Sequence, residues 1–109
     1  MKLSRKEKRA VDLFRRQLEE QLGEILMDVV LFGSKARGDA RRDSDIDLLV
    51  VCKSEDWRIA DTVYGVATDV LLETGFSLSP KVVSLKEYER MKESPMPFYD
   101  NVLKEGISV

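Results

Sequence analysis

The stretch from Ile46 to Cys52 constrains the fold of this 109-residue chain more than any other part of its sequence. Apart from Asp47 it is apolar at every position, and therefore on both of the faces to which successive side chains of a β-strand point. A strand that is apolar on both faces is typical of the interior of a sheet that is covered on both sides. The stretch therefore predicts a central β-strand and, with it, a layered α/β fold.

Helical spacing of apolar residues predicts two long helices, over residues 5–22 and 55–74. A capping box at residues 4–7, Ser-Arg-Lys-Glu, marks the start of the first helix, and Gly23 marks its end. The second helix is expected to bury one apolar face, which consists of Ile59, Val63, Ala67, Val70 and Leu71.

Further elements are predicted on either side of the second long helix. Residues 28–32 and 76–83 are expected to form strands, and Pro80 indicates that the latter strand lies at an edge or contains a bulge. A second capping box at residues 84–87 begins another helix, a short helix ends at Gly106, and residues 107–109 could add a last strand. The whole order predicts a single domain, residues 1–109, in which a small mixed sheet is flanked by helices.

Composition excludes several classes of protein. Eighteen basic and twenty acidic side chains give a net charge of −2, which argues against broad nonspecific binding of nucleic acid but leaves room for a local basic patch. No apolar stretch is long enough to cross a membrane, and the single cysteine, Cys52, cannot form an intramolecular disulfide, so a cytoplasmic location is expected. The chain has no histidine, which leaves carboxylates for any metal chemistry.

Asp45 and Asp47 are the polar residues that a buried strand does not explain. Because they are two residues apart on a strand, their carboxylates point to the same face. Two such charges repel each other unless a cation lies between them, and Mg²⁺ commonly binds one or two carboxylates together with water and substrate phosphates. Asp45 and Asp47 are therefore predicted to be metal ligands and catalytic residues.

Gly33 and Ser34 lie where the strand 28–32 gives way to a helical turn at residues 35–37. A glycine there lets a phosphate approach the backbone, and the serine adds a hydroxyl donor. Alone, a Gly-Ser pair is usually a turn and an Asp-x-Asp motif a solvated strand end, but the combination is far less common. A phosphate site beside a metal site predicts phosphoryl or nucleotidyl transfer.

The spacing of these four residues resembles the signature of the DNA polymerase β-like nucleotidyltransferase superfamily. Residues 32–39, Phe-Gly-Ser-Lys-Ala-Arg-Gly-Asp, and residues 44–48, Ser-Asp-Ile-Asp-Leu, are similar to the motif of its minimal nucleotidyltransferase branch. The resemblance implies a nucleotidyltransferase-like fold, a nucleoside triphosphate such as ATP bound by Gly33 and Ser34, and Mg²⁺ held by Asp45 and Asp47. It also implies pairing with an all-helical HEPN protein as toxin and antitoxin, and in some relatives transfer of AMP from ATP to a tyrosine of that partner.

The sequence departs from the superfamily in one respect. Active members usually carry a third carboxylate on the neighbouring strand, as the base for the attacking hydroxyl, but residues 76–83 contain no acid. Ser77, Ser79 and Lys81 share one face of that predicted strand, so a serine or a lysine would occupy the third position. Glu73, just before the strand, is a weak substitute.

Basic residues around the motif are candidates for holding phosphates, because guanidinium groups bind them through paired hydrogen bonds. Arg37 is predicted to contact the nucleotide, or alternatively to pair with Asp39 or Asp43. Lys35, Arg41 and Arg42 could act similarly, although Arg41 and Arg42 could equally form a solvated basic loop.

Two apolar features lie outside the predicted site. Trp57 and Tyr64 are seven residues apart on the second long helix and are expected in the core or facing a partner. Residues 95–99, Pro-Met-Pro-Phe-Tyr, either close the core or form an exposed patch for a partner.

The leading hypothesis is a minimal nucleotidyltransferase that binds an ATP-like nucleotide with Mg²⁺ and transfers a nucleotidyl group to a protein or small hydroxyl acceptor, acting as antitoxin to a HEPN partner. The alternative is a catalytically weakened module that binds nucleotide or partner, which the missing carboxylate favours. A third hypothesis is a substrate-binding partner of a larger transferase.

Overall fold

Four strands form one sheet in the computed structural model, which describes residues 3–38, 44–93 and 102–109. The strands are β1 (Leu26–Phe32), β2 (Ile46–Cys52), β3 (Leu78–Ser84) and β4 (Ile107–Ser108). The helices are α1 (Arg5–Leu22), α2 (Ser34–Arg37), α3 (Arg58–Thr74) and α4 (Leu85–Glu93), and residues 102–105 are also helical. No helix in the described ranges combines the length and the apolar character that crossing a membrane requires.

The sheet is mixed, as the sequence predicts. Its strand order is β3-β2-β1-β4; β1 is antiparallel to both β2 and β4, whereas β2 and β3 are parallel. The central position of β2 is confirmed, because it pairs with β1 on one side and with β3 on the other. Pro80 lies on the edge strand β3, and the pairing of β3 with β2 continues through it without a shift in register.

The two faces of the sheet are covered by different helices. On one face, Leu48, Val50 and Cys52 of β2 pack in the core formed with α1 and α3. On the other face, Leu49 and Val51 of β2 pack in a second cluster with Met91 of α4 and with Val102. Since side chains alternate along a strand, Asp47 belongs to this second face.

Helix α1 matches its prediction at both ends. The backbone N–H of Ser4 donates to Glu7 Oε1 (3.0 Å), and the N–H of Glu7 donates to Ser4 Oγ (3.1 Å), which completes the capping box. The helix ends at Gly23, whose φ is +55°. The capping serine of α4 is also confirmed, since Ser84 Oγ accepts from the N–H of Glu87 (3.1 Å).

Helix α3 differs from its prediction at its start and on one face. It begins at Arg58 instead of residue 55, because Ser54 and Asp56 accept hydrogen bonds from the backbone N–H groups of residues 56 and 58 and hold the preceding turn. Leu71 is 41% exposed, so its predicted burial is wrong, and Val66 occupies the buried face instead. Residues 95–99 lie outside the described ranges.

Candidate functional site

Gly33 makes the turn between β1 and α2. Its φ of +75° and ψ of −155° are readily adopted only by glycine. The following helical turn is four residues long and closes on Gly38, whose N–H donates to Ser34 O at 2.9 Å. The predicted strand–turn–helix at Gly33 and Ser34 is therefore present.

The turn lies directly against Asp47. In the pairing of β1 with β2, Asp47 lies opposite Phe32. Phe32 immediately precedes Gly33 in the chain. A Cβ atom added to Gly33 would be 2.5 Å from Asp47 Oδ2, closer than Cβ atoms approach other atoms in proteins, and 3.3 Å from Asp47 Cγ, which is also a tight contact. Glycine is therefore required here both for the backbone conformation and for the close approach of the carboxylate.

Asp45 and Asp47 lie at the start of β2 and differ in their surroundings. Asp45 is exposed, whereas Asp47 is partly buried. Burial raises the pKa of Asp47 above its ordinary value, and the negative charge of Asp45 raises it further, while the positive charges of Lys81 and Arg37 act in the opposite direction. The two carboxylates thus repel each other at a position where a hard cation would relieve the repulsion.

Ser79 is the residue of β3 that lies beside Asp47. It is paired with Asp47 across the parallel strands β2 and β3, so the two side chains point to the same side of the sheet. Lys81 is paired with Leu49, further from the turn. Glu73 is on α3, which covers the opposite face, and it therefore cannot substitute for the missing acid.

No group of three or more acidic or cysteine side chains that could hold a metal ion exists among the described residues. Among the described residues, the carboxylates available to a metal at this site are those of Asp45 and Asp47. Such a set suits Mg²⁺, which completes its coordination with water and phosphate oxygens, better than an ion that needs a full cage of protein ligands.

Lys35 does not face the predicted phosphate site. It is 4% exposed, and its Nζ lies 2.6 Å from Glu7 Oε2, so the hypothesis that it holds phosphates is wrong. Burial alone would raise the pKa of Glu7, but the hydrogen bonds from Lys35 and Ser4 outweigh it and lower that pKa. Sequence reasoning missed this pair, because the capping box accounted for Glu7 without indicating a second role.

We expect the Glu7–Lys35 ion pair to hold the turn against α1. Glu7→Gln keeps the capping hydrogen bonds but removes the negative charge that Glu7 sets against buried Lys35, and the loss of one partner from a buried ion pair costs about 3–5 kcal/mol. In chemical denaturation, the free energy of unfolding should fall in the single variant and largely recover in Glu7→Gln with Lys35→Met. Unchanged stability of the single variant would show that the pair contributes nothing.

The same pair predicts a pH dependence. Because the pKa of Glu7 is lowered on folding, its stabilising contribution is complete above the ordinary value of 4.5 and is lost as the pH falls through the lowered pKa. The difference in stability between wild type and Glu7→Gln should therefore shrink in acid.

Arg37 lies at the end of the turn, where the sequence places it. Its Nη1 is 3.1 Å from Glu105 Oε2, so it links the turn to the helical segment at residues 102–105. Its charge also reaches Asp47, since it acts on the pKa of that carboxyl. The partners that the sequence suggested for Arg37 are Asp39 and Asp43, and both lie outside the described ranges. The candidate phosphate-binding residues Arg41 and Arg42 also lie outside them.

Comparison with known proteins gives consistent matches. Residues 11–106 match the family model described as "Nucleotidyltransferase domain". A protein of Methanocaldococcus jannaschii, provisionally named a protein adenylyltransferase, is 33% identical over 90 residues, covering 79% of this chain and 60% of the relative. A second protein of that organism with the same provisional name is 33% identical over 100 residues, covering 92% of this chain and 94% of the relative. The chain thus spans 60% of the length of one relative and nearly all of the other.

Solved structures support the fold class. One provisionally described as a minimal nucleotidyltransferase is similar with a TM-score of 0.59 at 26% identity, covering 100% of this chain and 97% of the other. A crystal structure of a toxin–antitoxin complex with AMP-PNP gives a TM-score of 0.55 at 20% identity, covering 87% of this chain and 68% of the other. At that identity the second likeness shows the fold alone.

Proposed function

The chain belongs to the nucleotidyltransferase domain family, and on this premise we propose that it binds a nucleoside triphosphate with Mg²⁺ and transfers the nucleotidyl group to a hydroxyl acceptor. The observation that carries this proposal is the contact between the Gly33 turn and Asp47. The contact supports the proposal because a glycine turn before a helix is suited to a phosphate and an adjacent aspartate is suited to a cation.

Each predicted site residue has a role in this proposal. Gly33 lets the triphosphate approach the backbone, and Ser34 donates its hydroxyl to a phosphate oxygen. Arg37 exchanges its contact with Glu105 for a phosphate oxygen. Asp45 and Asp47 hold Mg²⁺, which when bound neutralises charge on the phosphates.

The proposed reaction forms one bond and breaks another. The acceptor oxygen bonds to the α-phosphorus, the bond between that phosphorus and the bridging oxygen to the β-phosphate breaks, and pyrophosphate leaves with the electron pair. The hydroxyl proton must pass to a base. Ser79 is not a base at neutral pH, so we expect the proton to go to water or to a group that the acceptor supplies.

The acceptor that we propose is a tyrosine hydroxyl of a protein partner, and the group transferred is AMP. The provisional name of the M. jannaschii relatives supports a protein acceptor and an adenylyl group. The resemblance to the minimal nucleotidyltransferase branch supports a HEPN partner in a toxin–antitoxin pair, and a similar fold occurs in a toxin–antitoxin complex with AMP-PNP.

Identifying which bond of ATP is cleaved tests this proposal, and it needs no known partner because water can serve as a slow acceptor. Purified protein incubated with ATP and Mg²⁺ should form AMP, which chromatography of α-labelled ATP detects, and should release one pyrophosphate for each AMP, which a coupled pyrophosphatase assay detects. Release of ADP and phosphate instead would assign the site to transfer of the terminal phosphoryl group and contradict the proposal.

A second candidate function, a catalytically weakened nucleotide-binding module, is favoured by Ser79 in the third position. Both candidates predict that Ser79→Asp will raise the rate of pyrophosphate release. A positioned base contributes about 10²–10⁴ in rate, so we expect a gain of at least about tenfold. The product assay above measures it under the same conditions.

Two matched variants control for that gain. Ser79→Asn has nearly the same shape without the charge, and Lys81→Asp places an acid beside Leu49 instead of Asp47. Neither variant should reach the rate of pyrophosphate release of Ser79→Asp. If Ser79→Asp leaves the rate unchanged, then residue 79 is not the position of the base.

A further inference from the structure

Helix α3 exposes large apolar side chains on the side that faces away from the core. Trp57, at its start, is 73% exposed, Tyr64 is 49% exposed, and Leu71 and Leu72 are 41% and 80% exposed. We call these four residues the α3 outer face. A single exposed apolar residue is ordinary, whereas several aligned on one element mark an interaction surface.

The α3 outer face is long, narrow and straight. Trp57, Tyr64 and Leu71 follow one another at intervals of seven residues, which places them in a line along the helix, and Leu72 lies beside the last of them. From Trp57 to Leu72 the line is about 22 Å long, at 1.5 Å per residue. A surface of that shape fits a second helix packed alongside α3 better than it fits a loop or a flat sheet.

A cleft opens at one end of this line. It has a volume of about 290 Å³, and Trp57 forms part of its wall together with Ala60, Val82 and Val83. Glu55 and Glu87 are also in the wall and are exposed. An aromatic ring beside two carboxylates is suited to a long basic side chain, whose stem packs on the apolar wall and whose charge meets the acids.

The surroundings of the line are acidic. Asp61 is exposed three residues before Tyr64, on the same side of α3, and it forms no ion pair within the described part of the chain. Glu55 and Glu87 lie at the cleft end of the line. Arg58 is the one basic residue of α3, and Asp56 already neutralises it at 2.7 Å. These acids favour an occupant that brings positive charge, whereas a second copy of this chain that packed its α3 on this α3 would set acid against acid.

We propose that the α3 outer face docks a helix of a partner protein, whose apolar side chains are flanked by lysine and arginine and which places one basic side chain in the cleft. Helix α3 covers the face of the sheet opposite Asp47, so this docking leaves the Gly33 turn open. The proposal stands on the surface alone and does not depend on the proposed transferase activity.

The chain provides its own reporter, because Trp57 is its single tryptophan. The probe is a synthetic 18-residue helical peptide with leucines along one face and lysines on both flanks, and its comparator has glutamate in place of each lysine. Titration with the lysine peptide should shift Trp57 emission to shorter wavelength in a saturable way. The glutamate peptide should bind at least tenfold more weakly.

Matched variants separate docking from long-range attraction. The double variant Tyr64→Ser with Leu72→Ser changes two surface residues, so it should not lower the melting temperature. It should lower the affinity for the lysine peptide at least tenfold. Asp61→Lys should also weaken the binding of the lysine peptide, whereas Glu20→Lys, the same change of charge on α1, should weaken it much less.

Three results would overturn the proposal. The first is no saturable binding of the lysine peptide, and the second is equal weakening by the charge changes on α1 and on α3. The third is a wild-type dimer in sedimentation equilibrium that Tyr64→Ser with Leu72→Ser converts to monomer, because the occupant would then be a second copy of this chain.

Discussion

Replacing Gly33 with alanine is expected to lower the affinity for ATP in the presence of Mg²⁺ by at least about tenfold. The added Cβ would be 2.5 Å from Asp47 Oδ2, so the carboxylate must move away from the turn. If the displaced turn loses one hydrogen bond to the proposed phosphate, the loss costs about 1.5–3 kcal/mol, and each 1.4 kcal/mol is about tenfold in affinity. Isothermal titration calorimetry measures the change.

Gly75 offers a control for the effect of a side chain at a positive φ. Its φ of +80° is close to that of Gly33, at +75°, but a Cβ there meets no atom within 4 Å. Alanine at Gly75, in the left-handed helical region, costs about 1–2 kcal/mol, whereas alanine at Gly33, whose ψ of −155° lies outside that region, costs up to about 3 kcal/mol. The free energy of unfolding of both variants is therefore measured beside their affinity for ATP, and only the variant at residue 33 disturbs Asp47. If Gly33→Ala and Gly75→Ala bind ATP equally well, then the close approach to Asp47 has no part in binding.

Replacing Asp45 and Asp47 together with asparagine should abolish the release of pyrophosphate and remove the Mg²⁺ dependence of ATP binding. Both effects follow from the loss of the carboxylates that are proposed to hold the ion. Product chromatography and calorimetry with and without EDTA measure them.

Replacing these aspartates should not unfold the protein, and Asp47→Asn tests this most directly. The pKa of Asp47 is raised by burial and by the charge of Asp45, so the folded state disfavours the ionised carboxylate. A carboxyl group with a raised pKa stabilises the folded state at low pH, where it is protonated, and this contribution is lost as the pH rises through that raised pKa. Asp47→Asn should therefore equal or exceed the melting temperature of wild type at neutral pH in EDTA. A marked loss of stability there would mean that Asp47 is structural, and a Mg²⁺ dependence that survives the double substitution would exclude both residues as ligands.

The elements that the sequence predicts best are those whose pattern is local. Helix α1 and strand β2 have the predicted bounds, since a capping box defines the start of one and a continuous apolar run defines the other. The juxtaposition of Gly33 with Asp47 is also implied locally, because each follows from a short motif on one of two neighbouring strands.

The features that were missed depend on contacts between distant parts of the chain. Lys35 pairs with Glu7, 28 residues earlier, and Arg37 pairs with Glu105, 68 residues later. Nothing near either basic residue distinguishes one that pairs within the protein from one that faces a phosphate. The position of Ser79 beside Asp47 likewise required the pairing of β2 with β3, which Pro80 left uncertain.

The most direct test of the account is a calorimetric titration of the wild-type protein with ATP, performed once with Mg²⁺ and once with EDTA. The structure brings the turn at Gly33 together with two aspartates that repel each other, so the account predicts that ATP binds appreciably tighter when Mg²⁺ is present. Identical affinity under the two conditions, or no binding under either, would contradict it.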